Sequence, residues 1–294
     1  MKVLTAPLWE LAAIEEGKAL LDRGKGHVAF SGLYDSQKLH MVYGLSDGFT
    51  QKIIVTFSDK RAREIGAEYG FYDRRTMVYP GKDLIFYQAD IHGNLLTRQR
   101  IQVLRALLER EEVTIVTSID SCLDCLVPLA VWKEKVIKIR NDSEIDLDRM
   151  KRHLLELGYE WAAQVEVPGQ FSIRGGIMDV FSLTEDNPWR IELWGDEVDS
   201  IRSFDAESQR SIENLEEITI YPATEVVLDK ETIRQGIKAI EKEAQKSQKK
   251  FRDEMKTEEG ARVRQIAAEL KDQLEEMEHI AGAESFVRYF YKKT

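Results

Sequence analysis

Residues 169–205 read GQFSIRGGIMDVFSLTEDNPWRIELWGDEVDSIRSFD. The β-branched and aromatic residues, and the alternation of apolar with polar positions, indicate β-strands. We predict three strands here, at Gly169–Phe181, Trp189–Trp194 and Glu197–Asp205. The Gly-Asp pair between the last two fits a two-residue hairpin turn, because glycine adopts the positive φ angle that a tight turn requires. The sequence therefore predicts an antiparallel sheet in this part of the chain.

The preceding sequence, from Gly26 to about Pro128, alternates short β-rich runs with amphipathic segments. Such alternation is typical of βαβ units, whose parallel sheet is covered by helices. A further helix is predicted at Pro7–Leu21, and Asp59 is placed to cap the helix after the second strand. The predicted strands are HVAFSG, KIIVTFS, TMVYPG and EVTIVTS, and the predicted helices of this region end at Leu45, Tyr69 and Glu109.

A helix at Asp146–Leu157 leads into the antiparallel sheet, and a further strand at Glu217–Glu225 is predicted to close this region of the chain. After Leu228 the sequence is strongly charged, with apolar residues at helical spacing. Two helices fit this pattern, with a break at Thr257–Gly260. They form either a hairpin packed on its own domain or a dimeric coiled coil. The hairpin, and hence a monomer, is favoured because the periodicity ends after about two heptads.

The composition is that of a globular chain with about two or three domains. Its 294 residues include 42 Lys and Arg against 52 Asp and Glu, a net charge of -10, which disfavours general nucleic-acid binding. No run approaches the roughly 18 to 20 apolar residues of a membrane span. Glu10, Glu15 and Glu16 interrupt the N-terminal region too early for a secretion signal. We therefore expect a cytoplasmic protein without a membrane partner.

The turn after HVAFSG is the place where a βαβ unit would bind a nucleotide. This turn, from Ser31 to Lys38, contains Gly32, Asp35 and Gln37. A phosphate-binding loop needs G-x-x-x-x-G-K-[ST], with glycines around the phosphates, a lysine for their oxygens and a hydroxyl for magnesium. Here one glycine is present, glutamine precedes the lysine, leucine replaces the hydroxyl residue, and an aspartate would repel a polyanion. We predict a degenerate loop and no nucleotide cofactor.

Cys122 and Cys125 follow the strand EVTIVTS near the start of a helix, a setting in which redox-active dithiols occur. We favour burial of both as small apolar side chains. The five histidines supply no spaced pair that would complete a zinc site. Neither a nucleophile elbow nor a catalytic pair of carboxylates is visible. The sequence thus predicts no metal, no cofactor and no catalytic residue.

Alternation along WRIELW places Arg190, Glu192 and Trp194 on one face of a strand and apolar residues on the other. An exposed tryptophan beside an arginine is typical of the energetic centre of a protein interface. Arg174 lies on the preceding strand, before a Gly-Gly pair where a bulge or a close backbone approach is expected. The alternative is structural: the arginines pair with Asp179 or Glu192, and the tryptophan covers the edge of the core.

Residues 171–181, FSIRGGIMDVF, and 189–210, WRIELWGDEVDSIRSFDAESQR, closely resemble domain 2 of the N-terminal module of bacterial transcription-repair coupling factors (Mfd). That module is itself similar to the excision-repair protein UvrB. YPGKDLIFYQADIHG and EVTIVTSIDSCLDCLVP resemble its first domain, and the sequence from ATEVVLD onward resembles its helical domain. The resemblance implies three domains: a UvrB-like domain 1A at 1–137, a UvrA-binding domain 2 at 138–222 and a helical domain 1B at 223–294.

The implied fold class is α/β: a degenerate helicase-like (P-loop NTPase-like) parallel-sheet domain, an inserted antiparallel α+β domain and a helical domain. The resemblance implies a non-catalytic module that recruits UvrA. In the family the UvrA-binding surface includes two arginines and an aromatic residue, which fall on Arg174, Arg190 and Trp194. A longer parent protein would be an ATP-dependent DNA translocase in transcription-coupled nucleotide excision repair, with RNA polymerase and double-stranded DNA as partners. The alternatives are an active UvrB-like DNA helicase or damage-binding module and a coiled-coil scaffold.

Overall fold

The computed structural model describes residues 5–24, 27–81, 93–275 and 286–291. The chain divides into two compact units, Met1–Gln88 with Val103–Leu123 and Ala89–Gln102 with Asp124–Thr294. The fold is mixed α/β, with a parallel sheet in the first unit and largely antiparallel sheets in the second. No helix among the described residues is long and apolar enough to cross a membrane.

The first unit contains a three-stranded parallel sheet and its helices. Its elements after a 3-10 helix at Ala6–Glu10 are α1 (Ala12–Asp22), α2 (Asp35–Leu45), β1 (Gln51–Thr56), α3 (Asp59–Tyr69), β2 (Thr76–Tyr79), the C-terminal part of α4 (Gly93–Leu108), β3 (Val113–Ser118) and α5 (Ile119–Cys122). The strand order is β1-β3-β2, and β3 is buried along its whole length because it is the central strand. The predictions from KIIVTFS, TMVYPG and EVTIVTS, and that of a parallel sheet, are confirmed.

The run HVAFSG is not a strand among the described residues, so that prediction is wrong. Its aromatic residue packs against helices instead of entering the sheet. A Cβ atom on Gly17 of α1 would lie 2.6 Å from the ring of Phe30. Phe30 also packs against the apolar cluster of Ile14, Met41 and Leu45. The apolar character that suggested a strand is thus used to bury the faces of α1 and α2.

The cap of α3 also differs from the prediction. Ser58, not Asp59, is the N-cap, and its hydroxyl accepts a hydrogen bond from the backbone N–H of Arg61 at 3.3 Å. The Asp59 carboxylate accepts from the backbone N–H of Gly81 at 2.8 Å and from the hydroxyl of Ser118 at 2.5 Å. It therefore joins the segments that follow β2 and end β3, while the neighbouring serine caps the helix.

The second unit contains a six-stranded sheet, a two-stranded sheet and a pair of long helices. Its elements after the first part of α4 are α6 (Leu129–Glu134), β4 (Ile137–Arg140), α7 (Leu147–Glu156), β5 (Glu160–Trp161), β6 (Gln170–Arg174), β7 (Ile177–Val180), β8 (Trp189–Trp194), β9 (Glu197–Phe204), β10 (Ser211–Leu215), β11 (Glu217–Ile220), α8 (Lys230–Asp253), α9 (Thr257–Glu275) and α10 (Val287–Phe290). The large sheet has the order β10-β9-β8-β7-β6-β5 and is antiparallel except between β5 and β6.

The single strand predicted at Gly169–Phe181 is two strands, because the chain turns at its Gly-Gly pair. Gly175 has a φ angle of +59°, which a residue with a side chain rarely adopts. A Cβ atom on Gly176 would lie 2.8 Å from the carbonyl oxygen of Leu193, which confirms the expected close backbone approach. The turn predicted between β8 and β9 is also confirmed, and Gly195 there has a φ angle of +65°.

The strand predicted at Glu217–Glu225 ends at Ile220 and does not close the large sheet. This strand, β11, pairs with β4 in a separate two-stranded sheet, so the predicted strand is present but shorter than expected. The edge position beside β9 belongs to β10, which the sequence did not predict. Its sequence, SIENL, is almost wholly exposed and carries no apolar alternation that would mark a strand.

The last long helices, α8 and α9, pack on each other within the chain. Lys271 of α9 donates to Glu241 of α8 at 3.0 Å. The buried cluster of this region includes Ile233, Ile240 and Leu274 together with an aromatic residue of α10. The predicted helical hairpin is therefore confirmed. The break between the helices lies at 254–256, slightly earlier than predicted.

Candidate protein-binding surface

The six-stranded sheet has one apolar face and one polar face. Residues directly opposed on antiparallel strands share a face. The row Met178–Ile191–Ile201 is almost completely buried, whereas the row Asp179–Arg190–Arg202 lies on the other face. The alternation predicted for β8 is confirmed, and we call its polar side the outer face. It is defined by Arg174, Asp179, Arg190, Glu192, Trp194 and Arg202.

One buried carboxylate organises this outer face. Asp179 is 1% exposed. Arg190 donates to it twice, from Nε to Oδ1 at 2.7 Å and from Nη2 to Oδ2 at 2.8 Å. Arg174 donates from Nη2 to the same Oδ2 atom at 3.0 Å. A buried carboxylate requires such charge-assisted hydrogen bonds because an unpaired charge is costly to bury. The pairing of both arginines with Asp179, considered from the sequence as a structural alternative, is therefore observed.

Arg190 is held from three directions. Besides its two bonds to Asp179, its guanidinium carbon lies 4.4 Å from the centre of the Phe204 ring, within the range of a cation–π contact. Its Nη2 atom also donates to Oε1 of Gln209 at 3.0 Å. The hydrogen bond and charge of Asp179 raise the pKa of Arg190, against a smaller effect of burial. The side chain is 16% exposed, so most of it is committed to the protein itself.

Gln209 comes from the loop between β9 and β10. Its φ angle is +58°, an uncommon conformation for a residue other than glycine. The side-chain amide donates to the carbonyl of Ala206 at 2.8 Å while its oxygen accepts from Arg190. Asp205 shapes the same loop by accepting from the backbone and hydroxyl of Ser208, and these hydrogen bonds lower the pKa of Asp205. The loop thus presents one amide to the arginine.

Arg174 and Trp194 are the outward-facing members of the surface. The side chain of Arg174 is 50% exposed, and Trp194 is 85% exposed at the end of β8. The tryptophan therefore does not cover the edge of the core, contrary to the structural alternative. Arg174 is opposite Ile177, which is opposite Glu192, so about 10 Å, two strand spacings, separates the arginine from the β8 backbone.

The outer face lies within the part of the chain that a family comparison identifies. A sequence profile described as the UvrB interaction domain matches residues 137–226. This part of the chain is similar to that family, and we call residues 137–226 the UvrB interaction domain after the match. The matched range contains β4 to β11 and every residue of the outer face.

Similarity to known proteins extends beyond the UvrB interaction domain. The transcription-repair-coupling factor of Bacillus subtilis is 36% identical over 222 residues, 75% of this chain and 18% of that protein. That of Staphylococcus aureus strain Mu50 is 31% identical over 216 residues, 72% of this chain and 18% of that protein. UvrABC system protein B of Thermosipho africanus is 28% identical over 235 residues, 80% of this chain and 35% of that protein. The predicted resemblance is confirmed, and the chain spans about a fifth to a third of these relatives.

The structure places the three residues predicted to bind a partner on the same side of the UvrB interaction domain. It also adds residues that the sequence analysis did not select. Phe204 and Gln209 contact Arg190, and neither carries a local signal, since one reads as a core aromatic and the other as a polar loop residue. Beside them, Arg202 pairs with Glu192, whose carboxylate also accepts from the hydroxyl of Ser200 at 3.2 Å.

Outside the UvrB interaction domain, the predicted degenerate loop leads into α2. Gly32 has a φ angle of +78°. The side-chain oxygen of Gln37 accepts from the backbone N–H of Tyr34 at 3.2 Å, so this glutamine caps the helix. Lys38 is exposed on the first turns of α2, and Asp35 is the first residue of that helix. No strand among the described residues leads directly into this turn, unlike in the βαβ arrangement that the sequence suggested.

Both cysteines are exposed free thiols, so the prediction that they are buried is wrong. Cys122 is the last residue of α5, which is a single turn. The buried position of that turn is taken by Ser121, whose hydroxyl is 2.8 Å from that of Ser118. Polar contacts at the end of β3 therefore leave the cysteine on the surface.

Proposed function

We propose that this chain is the N-terminal module of a transcription-repair coupling factor and that it recruits UvrA to RNA polymerase stalled at DNA lesions, in transcription-coupled nucleotide excision repair. One observation carries the proposal: the UvrB interaction domain presents a half-exposed arginine, Arg174, and an almost fully exposed tryptophan, Trp194, on one face. Arginine and tryptophan are enriched at the hot spots of protein interfaces.

Three residues of the outer face have distinct parts in this docking. Trp194 would supply apolar area to the interface, and Arg174 would pair with a carboxylate of UvrA. Arg190 would act beside Arg174, because both arginines donate hydrogen bonds to the carboxylate of Asp179. The chain as a whole has a charge of -10, so the attraction of an acidic partner is local to this face.

We further propose that the remaining regions support recruitment without catalysis. The three-domain division at 1–137, 138–222 and 223–294 stays our interpretation, with a degenerate helicase-like fold in the first. Its support is the loop from Gly32 to Lys38, in which Gln37 caps a helix and a second glycine is lacking. Contacts with RNA polymerase and DNA, and ATP-driven translocation, would belong to the rest of a longer cytoplasmic parent protein.

The second candidate function is a UvrB-like helicase or damage-binding module. Similarity to UvrABC system protein B favours it, at 28% identity over 235 residues. The loop chemistry and the net charge argue against it, because a phosphate-binding loop requires a second glycine and a hydroxyl residue that this loop lacks, and a net charge of -10 disfavours binding to DNA. Stimulated ATP hydrolysis that Lys38→Ala abolishes, together with retarded damaged DNA in a gel, would establish this alternative.

The test of recruitment is calorimetric titration of purified UvrA into the protein and into Arg174→Ala/Trp194→Ala. Both side chains are exposed, so the double variant should fold as the wild type does. The matched control is Arg140→Ala/Trp161→Ala, which removes the same residue types from the same domain. Arg140 is 70% exposed at its side chain and Trp161 is 54% exposed.

We expect the wild type and the control pair to bind UvrA with similar affinity and the double variant to bind at least about 100-fold more weakly. Circular dichroism should be unchanged in both variants. An equal loss of affinity in the double variant and in the control pair would show that the outer face is not the UvrA-binding surface. Absence of binding by the wild type would remove recruitment itself.

A further inference from the structure

We propose a division of labour between the two arginines: Asp179 and Gln209 hold Arg190 as a fixed support, which leaves Arg174 as the arginine that is delivered to the partner. This inference rests on the proposed docking function, but its structural half is independent of any partner. It makes Asp179 and Gln209 positioning residues. They determine which guanidinium group is free to contact the partner and which one remains bound to the domain.

The charge balance at Asp179 distinguishes the two arginines. This carboxylate is 1% exposed and needs one cation to compensate its burial. Arg190 meets that need alone, with one N–H for each oxygen at 2.7 and 2.8 Å. Arg174 adds a third bond, at 3.0 Å, to an oxygen that already has a donor. Arg174 can therefore rotate away without leaving a buried charge unpaired, whereas Arg190 cannot.

The two arginine side chains are also unequally confined by their surroundings. Arg190 is 16% exposed, stacks on Phe204 and donates to Gln209. Arg174 is 50% exposed, and the structure gives its guanidinium one described hydrogen bond. A planar guanidinium that is held by a fork and a stacking ring is pre-organised. The arginine beside it is the one with freedom to meet an acidic group on another protein.

Loss of Arg190 would then act through Arg174. In Arg190→Ala the buried carboxylate loses its cation, and Arg174 is the nearest replacement because it already donates to Oδ2. Held by the bare charge of Asp179, Arg174 would no longer be available to the partner. If the carboxylate is also removed, with Asp179→Asn, Arg174 is released again. The inference therefore predicts that one substitution rescues another.

The binding experiment measures the dissociation constant for purified UvrA in three variants. We expect Arg190→Ala to weaken binding about tenfold, and Asp179→Asn/Arg190→Ala to recover to within about threefold of the wild type. Adding Arg174→Ala to that pair should again cost about tenfold, since Arg174 then carries the contact. The rescued pair also buries no unpaired charge, so it should fold even if Arg190→Ala is unstable.

The second experiment needs no partner and records the Nε–H signals of arginine by NMR. In the wild type, Arg190 should exchange slowly with water and Arg174 should exchange rapidly. In Arg190→Ala the Nε–H of Arg174 should exchange with water about tenfold more slowly than in the wild type. In Asp179→Asn/Arg190→Ala its exchange should again be rapid. Gln209→Gly is compatible with the left-handed backbone at this position and removes the side-chain amide. It should therefore speed the exchange of the Arg190 Nε–H with water and leave that of Arg174 unchanged.

The outcomes separate the two proposals. If the wild type does not bind UvrA, docking is wrong, and the NMR series alone decides whether the arginines differ as described. If the wild type binds but Asp179→Asn/Arg190→Ala is no better than Arg190→Ala, Arg190 contacts the partner directly and the division of labour is overturned. Equal water exchange of the two arginines in the wild type would overturn it as well.

Discussion

Replacement of Trp194 by alanine should remove a substantial part of the docking energy without affecting the fold. The side chain is 85% exposed, so its removal leaves no cavity. A tryptophan that becomes covered contributes about 150–250 Å² of buried surface, and most of that area is available here. At about 25 cal/mol per Å² this corresponds to about 3–5 kcal/mol. The ordering of side chains at the interface offsets part of this, which leaves about 2–3 kcal/mol.

The expected loss of affinity for UvrA is therefore about 30- to 100-fold, measured by calorimetry with the wild type and Trp194→Ala side by side. Trp194→Phe should keep most of the affinity because it retains an aromatic face. The thermal unfolding midpoint of either variant should lie within about 1 °C of the wild type, as expected of an exposed site. A loss of less than about threefold, or a midpoint lowered by several degrees, would show that the tryptophan is not an interface anchor.

Two further predictions concern the helical region of the second unit. A Cβ atom on Gly236 would lie 2.1 Å from the Phe290 ring, so Gly236→Ala should lower the thermal unfolding midpoint by several degrees. The matched control is Gly260→Ala, where the nearest neighbouring atom lies 3.7 Å from the added Cβ atom, and it should be neutral or stabilising. Scanning calorimetry of both variants measures the two midpoints. Asp229 is the N-cap of α8. Burial raises the pKa of its carboxyl group, but hydrogen bonds from Thr232 and Lys135 outweigh burial and lower the pKa from 3.8 to about 2. Because the folded pKa lies below the ordinary value, the carboxylate stabilises the protein above about pH 4, and this is lost as the pH falls toward 2. Asp229→Asn should therefore cost about 1 kcal/mol at neutral pH and flatten the acid limb of a urea-unfolding series, and an unchanged limb would contradict the assignment.

Local patterns predicted the elements that carry a clear apolar signal. The strands β1 to β3 were found because they are short β-rich runs between amphipathic segments, and the helical hairpin because its apolar residues recur at helical spacing. The strand β10 was missed because its residues show no apolar alternation and are almost wholly exposed at a sheet edge, where pairing depends on backbone hydrogen bonds. The run HVAFSG failed in the opposite way, since its apolar residues are buried between helices rather than in a sheet.

The candidate site divides in the same way. Alternation along β8 was enough to place Arg190 and Trp194 on one face, because side chains on a strand alternate whatever the tertiary structure. It was not enough to reveal how Arg190 is held. Gln209 lies 19 residues farther along the chain, in a loop whose left-handed backbone has no sequence signature for glutamine. Contacts of this kind depend on how loops pack over a sheet, which local patterns do not encode.

The arrangement also bears on how an acidic chain can offer a cationic site. Asp179 neutralises one of the two arginines that donate to it, so the group of Arg174, Arg190 and Asp179 carries about one net positive charge. The charge of Arg202 is balanced by Glu192. A single charge is screened within about 10 Å at ordinary ionic strength, so it cannot steer a partner from a distance against a chain of charge -10. On our proposal, recognition then comes from short-range fit: a tryptophan that is covered and an exposed arginine, Arg174, that pairs with a carboxylate of the partner. The buried carboxylate of Asp179 holds Arg190 and leaves Arg174 free to make that pair without adding charge to the surface.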